Sequence, residues 1–357
     1  MLNNVISHIK PNESFQLNGV QYTIDTVKIL ANNFIKEGSE NERNLGAFIL
    51  NWIDDSEDIL LKTSGTTSKP NAILMPKAAF INSAKATAAF FNLNPGDVAL
   101  CCLPFSYIAA KMMFVRAWVL GLKLDFIPPT SSPLEHLPQN YYDFSAMVPL
   151  QVQNSLSKLH KIGTLLIGGA PISSALANQL NGHESSIFET FGMTETVSHI
   201  AAKNLSYGET VFRVLPNISI AQDDRACLTV NAPHLNPKIV QTNDVVSLVS
   251  DTVFKWLGRF DHVINSGGVK VHPETLEKQL QNQIKAPFFI TALPDEILGQ
   301  KVVLIVEGKS KQLDLDLSGI EGIKRPKEIF FIPQFHVTQS GKIQRQKTLD
   351  SLDLNHS

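Results

Sequence analysis

Apolar and β-branched runs alternate along the first half of the chain with stretches that have a helical pattern. The Ala-rich stretch 77–92 predicts a helix, stopped by Asn94-Pro95-Gly96, and the apolar run 98–103 predicts a strand. The alternation continues with a helix at 107–120, strands at 123–127 and 164–167, and a helix at 173–180. Strands and helices that alternate in this way form βαβ units, so we expect an α/β fold with a largely parallel sheet.

After about residue 205 the pattern changes to short strands, which indicates a small β-rich subdomain. These strands are predicted at 228–230, 239–241, 245–249 and 253–257. A new unit begins at Gly258-Arg259-Phe260-Asp261 and contains a helix at 273–283, strands near 288–292 and 301–306, and a polar tail. We therefore predict a large N-terminal α/β domain over residues 1–260 and a small, mobile α+β C-terminal domain over residues 261–357.

The composition narrows the class of protein. Of 357 residues, 43% are hydrophobic and 18% are charged, which is typical of a folded globular chain. A net charge of −2 lacks the basic excess of proteins that bind nucleic acid through its phosphates. Cys101, Cys102 and Cys227 are too irregularly spaced for a disulfide framework or a zinc site. The chain shows no signal-peptide pattern and no apolar run of about 18–20 residues, so we expect a cytoplasmic protein without membrane insertion.

A loop rich in hydroxyl side chains is the first candidate for chemistry. The run is Thr63-Ser64-Gly65-Thr66-Thr67-Ser68-Lys69-Pro70, between a predicted strand and a proline turn. Successive backbone N–H groups in such a turn form a concavity for anions, and the hydroxyls add donors. The Walker A spacing is absent. The composition alone fits a phosphate-binding loop or a polar surface loop.

Four later segments carry weaker signals. In Phe191-Gly192-Met193-Thr194-Glu195, a carboxylate flanked by hydroxyls suits Mg²⁺ and the aromatic ring suits a base, although a core Phe and a solvated Glu fit equally. Asp244 and Arg259 could hold a ribose or form a structural ion pair. The last two segments are a glycine turn at 266–270 and a lysine on a glycine turn, Gly341-Lys342.

Together, in this order, the five segments resemble the motifs of the adenylate-forming superfamily, which includes acyl- and aryl-CoA synthetases, peptide-synthetase adenylation domains and luciferases. The resemblance covers about residues 58–348. It implies an ATP-dependent enzyme that uses Mg²⁺, activates a carboxylate as an acyl-adenylate and transfers the acyl group to the thiol of coenzyme A. The partners implied are small molecules, and no nucleic acid is expected.

The resemblance also implies a role for individual residues. Thr63, Ser64, Gly65, Thr66, Thr67 and Lys69 would form the ATP phosphate loop. Glu195 would hold Mg²⁺, and Thr194 would contact the α-phosphate. Adenine and ribose would be held by Gly169, Ala170, Phe191, Gly192, Asp244 and Arg259. Asp261 would be the hinge of a C-terminal domain that brings either Lys342, for adenylation, or the loop of Gly267, Gly268 and Lys270, for thioester formation, to the site.

Two departures from the family pattern are visible. Asn71 stands where a lysine is common, and Lys69 is a candidate to substitute for it. The family carries more chain before the phosphate loop, so we expect a largely reduced N-terminal subdomain.

The segment Gly192–Ile200 is most similar to that of the o-succinylbenzoate–CoA ligases of menaquinone biosynthesis, with His199 in place of their usual glutamine. Tyr107 stands where longer relatives have a histidine. The second carboxylate of that substrate needs a cation, and Lys111 and Arg116 are the candidates. Lys111 shares a helix face with Tyr107, so the helix phase favours Lys111 over Arg116. A ligase for another aryl or short acyl acid, a domain that loads a carrier protein and a nucleotide-binding pseudoenzyme remain alternatives.

Overall fold

The computed structural model describes residues 10–62, 72–309, 313–337 and 343–352, and there the chain has a mixed α/β fold. The helices are α1 Ile24–Glu37, α2 Glu40–Ile53, α3 Lys77–Phe91, α4 Ile108–Leu120, α5 Pro149–Gln153, α6 Ser174–Leu180, α7 Pro273–Leu280 and α8 Arg345–Asp350. The first ten strands are β1 Gln16–Leu17, β2 Val20–Gln21, β3 Asp58–Lys62, β4 Ala72–Pro76, β5 Val98–Cys101, β6 Lys123–Phe126, β7 Tyr142–Met147, β8 Ile162–Ile167, β9 Ser186–Gly192 and β10 His199–Asn204. The others are β11 Phe212–Val214, β12 Ser219–Gln222, β13 Cys227–Asn231, β14 Val240–Leu248, β15 Val253–Arg259, β16 Ile264–Ser266, β17 Val269–Val271, β18 Phe288–Asp295, β19 Gly299–Glu307 and β20 Glu328–Ile332.

The largest sheet within these ranges has thirteen strands in the order β12-β13-β14-β15-β11-β10-β9-β8-β7-β5-β6-β1-β2. Six adjacent strands of this sheet are parallel to one another, in the order β1-β6-β5-β7-β8-β9. From β9 to β12 the pairing is antiparallel. The α/β fold is thus confirmed, with its parallel strands at the centre and one end and the β-rich part on the other flank.

Helix α4 is buried on more than one face, and this decides where its charged side chains lie. All residues from Met112 to Trp118 are buried, including Arg116. The helix packs on strands β5 and β6 and on α3, with α2 near its Phe114. Gly121 ends it in the left-handed region, with φ of 81°. A helix without a polar face gives no reliable phase for predicting which cation reaches a site.

Most predicted elements are confirmed to within a few residues, and three need correction. The two strands predicted at 239–241 and 245–249 are the single strand β14, whose pairing with β15 shifts between Val245 and Val246. The helix predicted at 273–283 ends at Leu280. The predicted polar tail contains β20, which adds in parallel to β19, and the short helix α8. Helices α1 and α2, opened by Thr23 and Ser39 caps, were not predicted.

A smaller sheet follows the large one along the chain. Its strands lie in the order β17-β16-β19-β18, with β20 beside β19. Helix α7 packs against β18 and also reaches the large sheet, where Thr275 Oγ1 donates to the Leu257 carbonyl at 3.0 Å. At the end of α7, Gln281 Oε1 accepts from the backbone N–H of Ser174 at 2.7 Å. No helix in the described part of the chain is long and apolar enough to cross a membrane.

Candidate active site

The carboxyl ends of the parallel strands place two predicted segments at the same edge of the sheet. Strand β8 leads into Gly168, Gly169 and Ala170, and its neighbour β9 leads into Met193 and the turn beyond it. The two ends are joined because Thr190 Oγ1 donates to the Ile167 carbonyl at 3.0 Å. The glycine loop and the Met-Thr-Glu segment, which are far apart in sequence, are therefore adjacent in space.

Phe191 and Gly192 are both fixed by close packing. The Phe191 ring lies 5.3 Å from Phe254 and 5.8 Å from Phe212, centroid to centroid, so this side chain is part of an aromatic cluster as well as a candidate adenine contact. A Cβ on Gly192 would come within 2.4 Å of His199 Cα and of the Ser198 carbonyl oxygen. Only glycine permits this approach of β9 to β10.

Thr194, Glu195 and Thr196 form a 3₁₀ turn, and the residue after it is strained. Val197 is fully buried and has φ of 65° and ψ of −48°. The Ser198 N–H donates to the Thr196 carbonyl at 2.7 Å, which closes a γ-turn around Val197. Such a conformation costs about 1–3 kcal/mol in a β-branched residue and is found mostly where function requires it. In this chain the strained residue, Val197, lies between Glu195 on one side and Ser198 and His199 on the other.

The Glu195 turn is supported from a different part of the chain. Asn236, on the loop between β13 and β14, donates through Nδ2 to the Glu195 carbonyl at 3.1 Å. The carboxylate is half-buried, and no hydrogen bond to it is seen from any described residue. Mg²⁺ takes few protein ligands and completes its shell with phosphate oxygens and water. A single carboxylate on a fixed turn fits that requirement.

A buried guanidinium is the central feature of the site. Arg116 is 2% exposed, and its Nη2 donates to Ser198 Oγ at 2.8 Å. The other acceptors of its hydrogen bonds are Thr87 Oγ1 at 3.4 Å, His199 Nδ1 at 3.4 Å and Met113 Sδ at 3.8 Å. All of these groups are neutral, and no carboxylate of the described chain forms an ion pair with Arg116. Burial lowers the pKa of Arg116 to about 10, so it stays protonated near neutral pH.

His199 is held neutral beside this cation. Burial, and then the charge of Arg116, lower the pKa of His199 well below its ordinary value. Its Nδ1 accepts from Arg116, which leaves Nε2 to donate to Thr87 Oγ1 at 3.3 Å, while Thr87 donates to the Ser83 carbonyl at 2.9 Å. Ser198 Oγ also lies 3.3 Å from His199 Nδ1. Among the described residues, the surroundings of Arg116 therefore contain one positive charge that no carboxylate compensates.

Lys111 lies in the first turn of α4, and Tyr107 immediately precedes this helix. The Lys111 ammonium lies over the ring of Phe48, 5.7 Å from its centroid, and Tyr107 is 42% exposed. Arg116 contacts His199. Both Lys111 and Arg116 therefore remain candidates for the cation that binds the second carboxylate.

Asp244 and Arg259 face each other across β14 and β15, as directly paired residues. Arg259 Nη1 lies 3.4 Å from Asp244 Oδ2, and its Nη2 lies 3.3 Å from Asp261 Oδ2. Asn243 Nδ2 also donates to Asp261, at 3.2 Å from Oδ1. Burial raises the pKa of Asp244, and hydrogen bonding from Trp256 and the charge of Arg259 oppose this. The candidate ribose residues and the candidate hinge residue therefore form one polar cluster.

Gly267 and Gly268 form the two-residue turn between β16 and β17. Their φ values are 55° and 81°, the combination that a tight hairpin turn needs and that glycine supplies without strain. Lys270 follows on β17 and is exposed. It lines a cavity of about 130 Å³ next to the hinge, together with Arg225, Phe260 and His272.

Several predicted residues lie outside the described ranges. These are Thr63, Ser64, Gly65, Thr66, Thr67 and Lys69 of the phosphate loop, and Lys342. The loop is flanked by the hairpin β3–β4, in which Lys62 pairs with Ala72. Beyond Lys342, Arg345 is anchored: its Nη2 lies 2.9 Å from Glu277 Oε2, and its Nη1 donates to the Ile290 carbonyl at 3.1 Å.

Sequence reasoning missed Thr87, Ser198, Asn236 and Trp256. Thr87 and Ser198 contact Arg116, Asn236 supports the Glu195 turn, and Trp256 donates to Asp244. Thr87 could have been noticed as a polar residue in an otherwise apolar helix segment. Ser198 lies in the segment Gly192–Ile200 that resembles the ligases, but no role was assigned to it. The contacts of Ser198, Asn236 and Trp256 are tertiary, so the sequence does not show them.

Comparison with known proteins shows which family the chain resembles. A family model described as AMP-binding enzyme matches residues 21–243. The 2-succinylbenzoate–CoA ligase of Listeria monocytogenes serotype 4b (strain F2365) is 24% identical over 345 residues, covering 87% of this chain and 73% of that protein. The corresponding ligase of Lactococcus lactis is 25% identical over 321 residues, covering 82% and 71%.

Solved structures show the same fold. An acyl-CoA synthetase (AMP-forming)/AMP-acid ligase II-like protein from Dyadobacter fermentans is 34% identical, with a TM-score of 0.61 and coverage of 90% of this chain and 97% of that one. The o-succinylbenzoate coenzyme A synthetase MenE from Bacillus subtilis, in complex with ATP and magnesium ion, has a TM-score of 0.73 at 18% identity, covering 83% of this chain and 71% of that one.

Proposed function

The chain belongs to the family of AMP-binding enzymes, and on that premise we propose that it is an o-succinylbenzoate–CoA ligase of menaquinone biosynthesis. It converts o-succinylbenzoate, ATP and coenzyme A to o-succinylbenzoyl-CoA, AMP and pyrophosphate. The relatives named for this activity support the proposal. The observation that carries it is the guanidinium of Arg116, which is buried with only neutral hydrogen-bond partners among the described residues and contacts Ser198 and His199, two residues that follow closely after Glu195.

The surroundings of Arg116, which we call the acid pocket, support the choice of substrate. A buried cation without a carboxylate partner is costly, and an anionic ligand offsets that cost. The planar guanidinium suits a carboxylate, because its fork of N–H groups matches two carboxylate oxygens. Since His199 is neutral, the pocket has charge for one anion. We assign it to the benzoate carboxylate, and the aliphatic carboxylate is then the one that reacts.

The reaction has two steps. In the first, an oxygen of the aliphatic carboxylate attacks the α-phosphorus of ATP, and pyrophosphate leaves. In the second, the thiol sulfur of coenzyme A attacks the acyl carbon, and AMP leaves. Negative charge accumulates in the first step, so cationic groups that contact the α-phosphate accelerate it. Mg²⁺, when bound, supplies such charge stabilisation at the phosphates.

Individual residues of the chain have separate roles in these two steps. Glu195 holds the metal, and Thr194 contacts the α-phosphate. The loop of Thr63, Ser64, Gly65, Thr66, Thr67 and Lys69 binds the other phosphates, and Lys342 bridges the acid and the α-phosphate. Gly169, Ala170, Phe191 and Gly192 surround adenine, while Asp244 and Arg259 hold the ribose. Residues 261–357 turn about Asp261, which brings Gly267, Gly268 and Lys270 to the site for the second step.

A panel of acids tests the proposal. Pure protein is incubated with ATP, coenzyme A and each acid, and AMP and free thiol are measured. We expect o-succinylbenzoate to give the highest kcat/KM, and its aromatic methyl ester, which lacks the benzoate charge, to fall about 100-fold because Arg116 is left without its anion.

Other outcomes distinguish the alternatives. Equal use of benzoate or a short acyl acid would indicate a different ligase. Acid-dependent release of pyrophosphate without loss of coenzyme A thiol would indicate a domain that loads a carrier protein. Absence of both acid-dependent pyrophosphate and acid-dependent AMP would indicate a pseudoenzyme.

A further inference from the structure

An indole contacts the candidate ribose carboxylate. Trp256 Nε1–H donates to Asp244 Oδ1 at 2.9 Å. The two residues lie on neighbouring strands, β15 and β14, where the register shift between Val245 and Val246 places them diagonally. Trp256 is half-buried against the apolar cluster of the β-rich subdomain. The donor is therefore held by packing and does not depend on a flexible side chain.

The two oxygens of Asp244 have unequal partners. Oδ1 accepts the short bond from the indole, whereas Oδ2 has, among the described residues, only Arg259 Nη1 at 3.4 Å, from a side chain that is 42% exposed. An ion pair of that length with a partly exposed guanidinium fixes the carboxylate poorly. The indole bond is thus the contact that sets the rotation of the carboxylate plane. Each carboxylate oxygen has two acceptor sites, so the bond leaves Oδ1 able to accept from a ligand.

We propose that Trp256 is a positioning residue for ATP, whose indole N–H orients the Asp244 carboxylate to receive the two ribose hydroxyls. This rests on the proposed ribose role of Asp244 and goes beyond it, since Trp256 acts on the nucleotide through Asp244. The charge on Asp244 is maintained in the same way. Burial raises the pKa of Asp244, and the Trp256 hydrogen bond is the foremost influence that opposes it.

The test combines one substitution with two nucleotides. Trp256→Phe keeps most of the ring and removes only the donor. KM and kcat for pyrophosphate release are measured with o-succinylbenzoate and either ATP or 2′,3′-dideoxy-ATP, which lacks the hydroxyls. We expect Trp256→Phe to raise KM for ATP about five- to tenfold, the effect of one charge-assisted hydrogen bond, with kcat changed less than about twofold. With dideoxy-ATP the substitution should change KM by less than about twofold.

Trp52→Phe is the matched control. Trp52 is 1% exposed, and its Nε1 has no hydrogen-bond partner in the described chain, so the substitution removes a similar volume without removing a hydrogen bond. It should leave the ratio of the two KM values unchanged. Thermal unfolding of both variants confirms that they are folded.

The outcomes distinguish failure of the positioning role of Trp256 from failure of the ribose role of Asp244. If Trp256→Phe raises KM equally for both nucleotides, or raises neither, Trp256 does not act through the ribose and the inference is overturned. If the wild-type protein has the same KM for ATP and dideoxy-ATP, the ribose role of Asp244 is itself wrong, and the positioning role fails with it.

Discussion

Arg116 Nη2 donates to Ser198 Oγ at 2.8 Å, which joins the middle of helix α4 to the residue that follows the strained turn at Val197. Arg116 and Ser198 are 82 positions apart in the chain. The contact links the buried cation to the segment that carries Glu195. The proposed acid pocket and the segment of the candidate metal residue are therefore joined by this hydrogen bond.

Removing this cation should impair function without impairing folding. Arg116→Met deletes a buried charge that has no carboxylate partner among the described residues, so the free energy of unfolding should stay equal or rise. KM for o-succinylbenzoate should rise about 100-fold, because a buried carboxylate loses its partner. Steady-state kinetics and urea unfolding measure the two effects. Lys111→Met is the control, and a larger rise in KM for it than for Arg116→Met would return the assignment to Lys111.

The hydrogen bond that supports the Glu195 turn should affect the Mg²⁺ concentration that the reaction requires. Asn236→Ala removes the bond from Nδ2 to the Glu195 carbonyl. One hydrogen bond contributes about 1 kcal/mol, so the Mg²⁺ concentration that gives half-maximal AMP formation should rise about fivefold. Asn231→Ala, at an exposed position of β13, should not change it. An unchanged Mg²⁺ requirement in Asn236→Ala would mean that the turn is held without Asn236.

His199 should make stability depend on pH. Its pKa in the folded protein lies well below the ordinary value, so below about pH 6.5 the unfolded chain binds a proton that the native chain does not. The stability that neutral His199 contributes is present above that pH and is lost as the pH falls toward the folded pKa. Between pH 7.5 and 5.5 the wild-type protein should lose about 1 kcal/mol more unfolding free energy than His199→Gln.

Chemical denaturation at the two pH values measures this difference, with the exposed His160→Gln as control. Equal pH dependence in wild type and His199→Gln would show that the imidazole does not resist protonation in the native state.

Lys342 should serve the first half-reaction alone. Lys342→Ala should abolish formation of the acyl-adenylate, since the α-phosphate loses its cation, yet retain thioester formation from supplied o-succinylbenzoyl-AMP. Pyrophosphate release and thioester formation are followed separately. Equal loss of both steps would refute the division of labour between Lys342 and the Gly267–Lys270 loop.

The sequence by itself determined the class of fold and the family. Alternating apolar and helical patterns predicted α3, β5, α4, β6, β8 and α6 nearly to the residue, because each is governed by local periodicity and by stops such as Gly121. Motif order indicated the family, since the segments that contain Gly192, Glu195, Asp244 and Arg259 follow one another in the order typical of the adenylate-forming superfamily.

The tertiary structure alone decided which side chains meet. Helix α4 has no polar face, so its sequence could not show that Arg116 contacts Ser198 and His199. Trp256 reaches Asp244 only because the pairing of β14 and β15 shifts at Val245. Contacts of this kind depend on register and on packing between distant segments, and local sequence carries information about neither.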